Sequence, residues 1–137
     1  MKKLSLLLIP VLAAVTAIPA FCAADMNKGK LSESLKNCSY FKTSSFITED
    51  GQKIKFNEKI TGYVNGKCRY ITESHYSNGT ATGKICDLDE SQRYRLYQNK
   101  LKPKQYSNPE LVKCESYNLV NDRWIKSDKN TTLAIPR

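Results

Sequence analysis

The feature that most constrains this chain is an alternating stretch bounded by two tight-turn dipeptides. Asp50-Gly51 precedes residues 53–64 and Asn65-Gly66 follows them. Asn-Gly and Asp-Gly are the dipeptides that best tolerate positive φ at both central positions of a type I′ hairpin turn. Between them Ile54, Phe56, Ile60 and Val64 fall on one side, and Lys53, Lys55, Asn57 and Lys59 on the other. A period of two marks a strand with one buried and one wet face. The segment 41–48, rich in β-branched and aromatic residues, pairs before it, and residues 67–76 follow as a third strand. Residues 84–88 make a fourth, joined around Asn78-Gly79, which gives an antiparallel meander.

Asp89 then has the character of an N-cap, with Gln92 completing a capping box. Pro103 ends the resulting helix over 89–102. Tyr94, Tyr97 and Leu101 share one face and are expected to turn toward the sheet. The tail from Asn108 has two readings: Asn108-Pro109-Glu110 could cap another helix, or 112–120 and 124–126 could flank an Asn121-Asp122 turn, and the strand pair is the favoured one. Residues 131–137 are expected to be a loose tail. The fold class is therefore α+β: a four-stranded antiparallel meander covered by one amphipathic helix, with a C-terminal strand pair and disulfide staples.

The N-terminus reads as a bacterial-type leader. Lys2 and Lys3 precede an apolar run from Leu4 to Phe21, and Cys22, Ala23 and Ala24 precede Asp25. This is the order of a signal peptide, 1–24, cleaved after Ala24. A membrane anchor needs about 20 unbroken apolar residues, and Pro10, Thr16 and Pro19 interrupt this run. A lipid anchor on Cys22 would need a small residue before it, where Phe21 stands. Loss of the leader takes the 22 basic and 13 acidic residues to 20 and 13, a net charge of about +7. No transmembrane segment is expected after processing, and export places the protein in a periplasm or outside the cell. Residues 25–37 carry Leu31 and Leu35 at helical spacing and read as an arm or short helix; 38–130 make a single domain.

Cys38, Cys68, Cys86 and Cys114 remain in the mature chain. An even count in an oxidising compartment predicts two disulfides, whereas a structural metal site would show paired ligands a few residues apart. No metal and no cofactor are expected. A loop centred on Ser77 would set Cys68 opposite Cys86 and leave Cys38 to Cys114. A strict two-residue Asn78-Gly79 turn would put Cys68 and Cys86 on opposite faces.

The segments Cys38-Ser39-Tyr40, Ile60-Thr61-Gly62, Asn65-Gly66-Lys67-Cys68-Arg69-Tyr70, with Cys86 and Tyr97, resemble a pattern found in small exported bacterial proteins of unassigned function. The likeness spans about residues 38–97. It rests on turn and disulfide residues and so implies a fold; Cys114 lies outside it.

Chemistry is sparse. His75 is the single histidine, which excludes any mechanism needing two imidazoles from this chain, and there is no Gly-x-Ser-x-Gly elbow. On an extended third strand Arg69, Glu73 and His75 share a face, a set that matches phosphodiester cleavage by a secreted ribonuclease. Set against that, Ile71 shares the face and is expected to pair with the buried Ile60, placing the three at the core rim. The eight tyrosines read as half-buried packing residues with reachable hydroxyls, and the Asn-x-Thr matches at Asn78 and Asn130 as chance. The basic cluster Arg93, Arg95, Lys100, Lys102 and Lys104 is the expected binding surface, its charges on the two exposed flanks of the helix. The function class is a non-enzymatic envelope or secreted binding protein with anionic partners, an anionic polymer or a membrane surface, and no specific nucleic-acid recognition. The alternatives are the ribonuclease or an inhibitor of a host or competitor enzyme. For a lysozyme target, like charge argues against inhibition.

Overall fold

The computed structural model describes residues 20–103 and 108–137, with side chains from residue 28 onward. The elements are α1 (Ala20–Asn37), β1 (Phe41–Glu49), β2 (Gln52–Val64), β3 (Lys67–His75), β4 (Ala81–Leu88), α2 (Glu90–Leu101), β5 (Glu110–Val120), β6 (Arg123–Lys126) and β7 (Thr131–Ile135). The strands form one antiparallel seven-stranded sheet in the order β1-β2-β3-β4-β5-β6, with β7 also on β5. The expected meander is thus its first four strands, but the sheet is larger and two helices, not one, cover it.

Three hairpins turn on two residues. Asp50-Gly51, Asn65-Gly66 and Asn121-Asp122 all take positive φ, as the right-handed twist of the flanking strands demands. The β3–β4 connection is longer. His75 pairs Ala81, so the loop is centred on Asn78, whose Oδ1 accepts from the Thr80 amide and hydroxyl. A bulge in β2 between Ile60 and Gly62 skips Thr61 and shifts the alternation by one. Val64 therefore leaves the face that Ile54 and Ile60 occupy, contrary to the simple period-two reading.

The core lies on the inner face, where Ile60, Cys68, Tyr70, Cys86, Leu88, Val112, Cys114 and Ile135 meet Leu31, Leu35 and Leu96 from the helices. Burying each such leucine stabilises by about 1.5–3 kcal/mol. Helix α1 ends in a Schellman arrangement, the Ser39 amide donating to Ser34 O at 3.0 Å and the Cys38 amide to Leu35 O. Cys38 holds the left-handed position there, φ 50°, where glycine is usual, and its sulfur joins it to β3. Helix α2 begins with the expected capping box of Asp89 and Gln92.

Several expectations need correction. The disulfides are Cys38–Cys68 and Cys86–Cys114, not Cys68–Cys86 and Cys38–Cys114. The Asn78-centred loop sets Cys86 opposite Tyr70, out of reach of Cys68, while Cys114 stands beside Cys86 on β5 with Cα atoms 4.5 Å apart. Residues 131–135 are strand β7, because Thr131 to Ile135 pair with Cys114 to Glu110 and Ile135 is fully buried. In α2 only Leu96 is buried; Tyr94 and Leu101 are about half exposed, so the helix is rotated from the expected face. Helix α1 runs through the expected cleavage position, and the leader upstream of residue 20 lies outside the described residues. No helix among the described residues is long and apolar enough to cross a membrane.

Candidate functional site

Both helices pack on the inner face, which among the described residues leaves the outer face of the sheet without a covering helix. In-register pairing across it produces three rows. One runs Ser44, Asn57, Glu73, Gly83, Tyr117, Lys126; a second Lys42, Lys59, Ile71, Ile85, Glu115; a third Phe46, Lys55, His75, Ala81, Leu119, Trp124. The β1–β2 half is lysine-rich and the β4–β6 half is aromatic and aliphatic.

Arg69, Glu73 and His75 do share this face, but it is the open outer face and not the core rim. Ile71 opposes Lys59, and Tyr70 opposes Ile60. The bulge after Ile60 is what defeats the expected Ile71–Ile60 pairing. Glu73 Oε2 accepts from Asn57 Nδ2 and meets His75 Nε2, each at 3.0 Å, and Asn57 Oδ1 accepts from Ser44 Oγ at 2.7 Å. Partial burial alone would raise the Glu73 carboxyl. Donation from Asn57 and His75, with the charges of His75 and Lys42, outweighs it and holds the pKa below its ordinary value. Arg69 is committed elsewhere: Nε and Nη2 bind the two Asp87 oxygens at 2.8 and 2.9 Å. That fork raises Arg69 and lowers Asp87. Six residues along a strand separate Arg69 from His75 by about 20 Å, so the three cannot close on one phosphate.

A slot of about 250 Å³ opens beside this row, lined by Ile71, Glu73, Gly83, Lys84, Ile85, Tyr117 and Trp124. The absence of a side chain at Gly83 makes room for Trp124, whose ring would meet a Cβ there at 3.3 Å. Trp124 also stands edge-on to His75, with ring centroids 6.2 Å apart. Tyr117 is steadied by donating to Glu115, which also accepts from Lys126. Alternation could reveal the individual faces, but Trp124 and Tyr117 come from strands whose register with β4 has no local sequence signal.

The helix cluster is placed differently from expectation. Arg93 donates to the Leu35 and Lys36 carbonyls at the end of α1, where a cation also suits the helix dipole. Arg95 pairs with Glu110 and reaches Pro136 O. Lys100 pairs with the buried Glu58, whose Oε1 also accepts from the buried Tyr70 hydroxyl. Only Lys102 of the described members is exposed without an ion pair, and Lys104 lies outside the described residues. By contrast Lys42, Lys53, Lys55 and Lys59 on β1 and β2 form no ion pair among the described residues. Lys53 stands 4.3 Å from the centre of the exposed Phe46 ring. The described residues contain no group of three or more His, Cys, Asp or Glu that could hold a metal ion.

No family model, curated protein or solved structure matches this chain.

Proposed function

We propose that this is an exported, non-enzymatic binding protein that recognises anionic partners through its outer sheet face. The observation that carries this reading is the distribution of uncommitted charge. Three of the helix cations are engaged within the molecule, while Lys42, Lys53, Lys55 and Lys59 form no ion pair among the described residues and lie on one face beside exposed aromatic surface. A net charge of about +7 in the mature chain draws polyanions to the molecule generally, and the lysines of β1 and β2 on the outer face give them a place to dock. Two disulfides and a leader cleaved after Ala24 fit a protein working in an oxidising compartment.

Retention on an anionic matrix against a salt gradient tests the reading. A variant with Lys42, Lys53, Lys55 and Lys59 changed to Gln should elute at clearly lower salt than wild type, whereas Lys102→Gln should elute with it. Equal elution of the quadruple variant and wild type would refute the outer face.

The Glu73–His75 contact is the one observation that favours the ribonuclease alternative. Its phosphate-binding arginine is locked onto Asp87 about 20 Å along the strand, so the expected result is no RNA cleavage. Activity abolished by His75→Ala would reinstate it. An enzyme-inhibitor role requires an acidic target surface, which a basic lysozyme does not offer.

A further inference from the structure

We infer that the slot between Trp124 and Glu73 is a sugar-ring subsite and that the anionic partner is an acidic polysaccharide. This rests on the outer face being the binding surface and names what occupies it. The walls are flat or aliphatic: Trp124, Tyr117, Ile71 and Ile85 over the Gly83 backbone. Such surfaces match the C–H face of a pyranose, and a slot of about 250 Å³ takes one ring rather than a chain.

The acidic group at the slot is the Glu73 carboxylate, which only accepts hydrogen bonds; Lys84 also lines the slot, its Nζ donating to Thr132 O. Glu73 Oε2 is occupied by Asn57 and His75, while Oε1 takes no hydrogen bond among the described residues. It can therefore accept from sugar hydroxyls and repels any anionic group placed there. The ligand's charges must lie to the side, where the adjacent strand carries lysines that form no ion pair among the described residues, Lys59 opposite Ile71 and Lys55 opposite His75. One strand spacing is about 4.8 Å, so a glycan crossing the strands sets a ring in the slot and a neighbouring acidic group on the lysines.

The same carboxylate discriminates against nucleic acid. Every nucleotide carries a phosphate, so a strand laid across the rows sets a negative charge against Glu73, whereas a glycan in which neutral and acidic rings alternate can set a neutral ring there. A charged membrane is met best by a protruding apolar centre, whereas this one is recessed.

Trp124 is the single tryptophan, so its fluorescence reports the slot directly. The experiment titrates the disulfide-bonded protein with a hyaluronan oligosaccharide, in which acidic and neutral rings alternate, a neutral malto-oligosaccharide of equal length, a single-stranded oligonucleotide and phosphatidylglycerol vesicles. The expected result is saturable perturbation of Trp124 emission by the hyaluronan oligosaccharide, with the neutral oligomer at least tenfold weaker. Trp124→Leu, followed by calorimetry, should weaken hyaluronan-oligosaccharide binding about tenfold, as loss of a stacking ring does. Binding that leaves Trp124 emission and the Trp124→Leu affinity unchanged overturns the subsite while leaving the anion-binding face intact. Tighter binding of the oligonucleotide or the vesicles overturns the polysaccharide. Binding of none of the three anionic probes overturns both the subsite and the face.

Discussion

Trp124 rests against the backbone of Gly83, the residue that Tyr117 opposes across β4 and β5. A methyl group at residue 83 would stand 3.3 Å from Trp124 Cζ3, so the indole must yield by a few tenths of an ångström. Gly83→Ala should change stability by less than about 1 kcal/mol and shift tryptophan emission slightly. Gly83→Val should displace the ring and move emission clearly to the red. Emission spectra and urea unfolding of both variants check this, and an unmoved emission in Gly83→Val would contradict the contact.

The Cys86–Cys114 pair closes a cross-strand staple, and Cys38–Cys68 ties the end of α1 to the start of β3. Peptide mapping under non-reducing conditions should recover these two pairs and no others. Changing Cys86 and Cys114 together to Ser should cost about 2–5 kcal/mol, the usual cost of losing a disulfide in a small exported domain, read as a lower denaturant midpoint.

Glu58 sits under α2 with Tyr70 and Lys100 on the same carboxylate oxygen. Burial, then the neighbouring Glu58 charge and hydrogen bond, raise the Tyr70 hydroxyl well above its ordinary value of 10.0. An ultraviolet difference titration should find at least one of the eight tyrosines silent until alkaline unfolding, and Tyr70→Phe should remove that silent signal. The variant should lose about 1 kcal/mol through the missing donor.

Glu73 and Asp87 both titrate below their ordinary values of 4.5 and 3.8. Unfolding at acid pH therefore takes up protons, and the stability these groups contribute is complete above the ordinary values and lost as pH falls through the depressed ones. The urea midpoint should fall as pH drops below 4.5. Asp87→Asn should flatten the low-pH part of that fall by about 0.5 kcal/mol, the scale of a partly exposed pair.

Local chemistry made much of the fold legible. The Asp50-Gly51, Asn65-Gly66 and Asn121-Asp122 turns, the Asp89 cap and the alternation of β2 are each encoded within a few residues. What is not local was hidden. The β2 bulge changes which residues face inward without altering composition, and the loop around Asn78 fixes the register that decides the cysteine partners. Strand β7 has a weak pattern of its own and forms because β5 offers it an edge. For the site, the shared face of Arg69, Glu73 and His75 followed from strand geometry. The engagement of Arg93, Arg95 and Lys100 did not, since Leu35 O, Glu110 and Glu58 are 15 to 58 residues away in sequence.

The central claim is that the outer sheet face, not the basic helix, receives the anionic partner. Backbone amide shifts measured by nuclear magnetic resonance during titration with a hyaluronan oligosaccharide at low salt test it most directly. The account predicts that the shifts cluster at Lys42, Lys55, Asn57, Lys59, Glu73, Gly83, Tyr117 and Trp124, across the in-register rows of β1 to β6. Shifts confined to α1 and α2, with the outer rows unmoved, would contradict it.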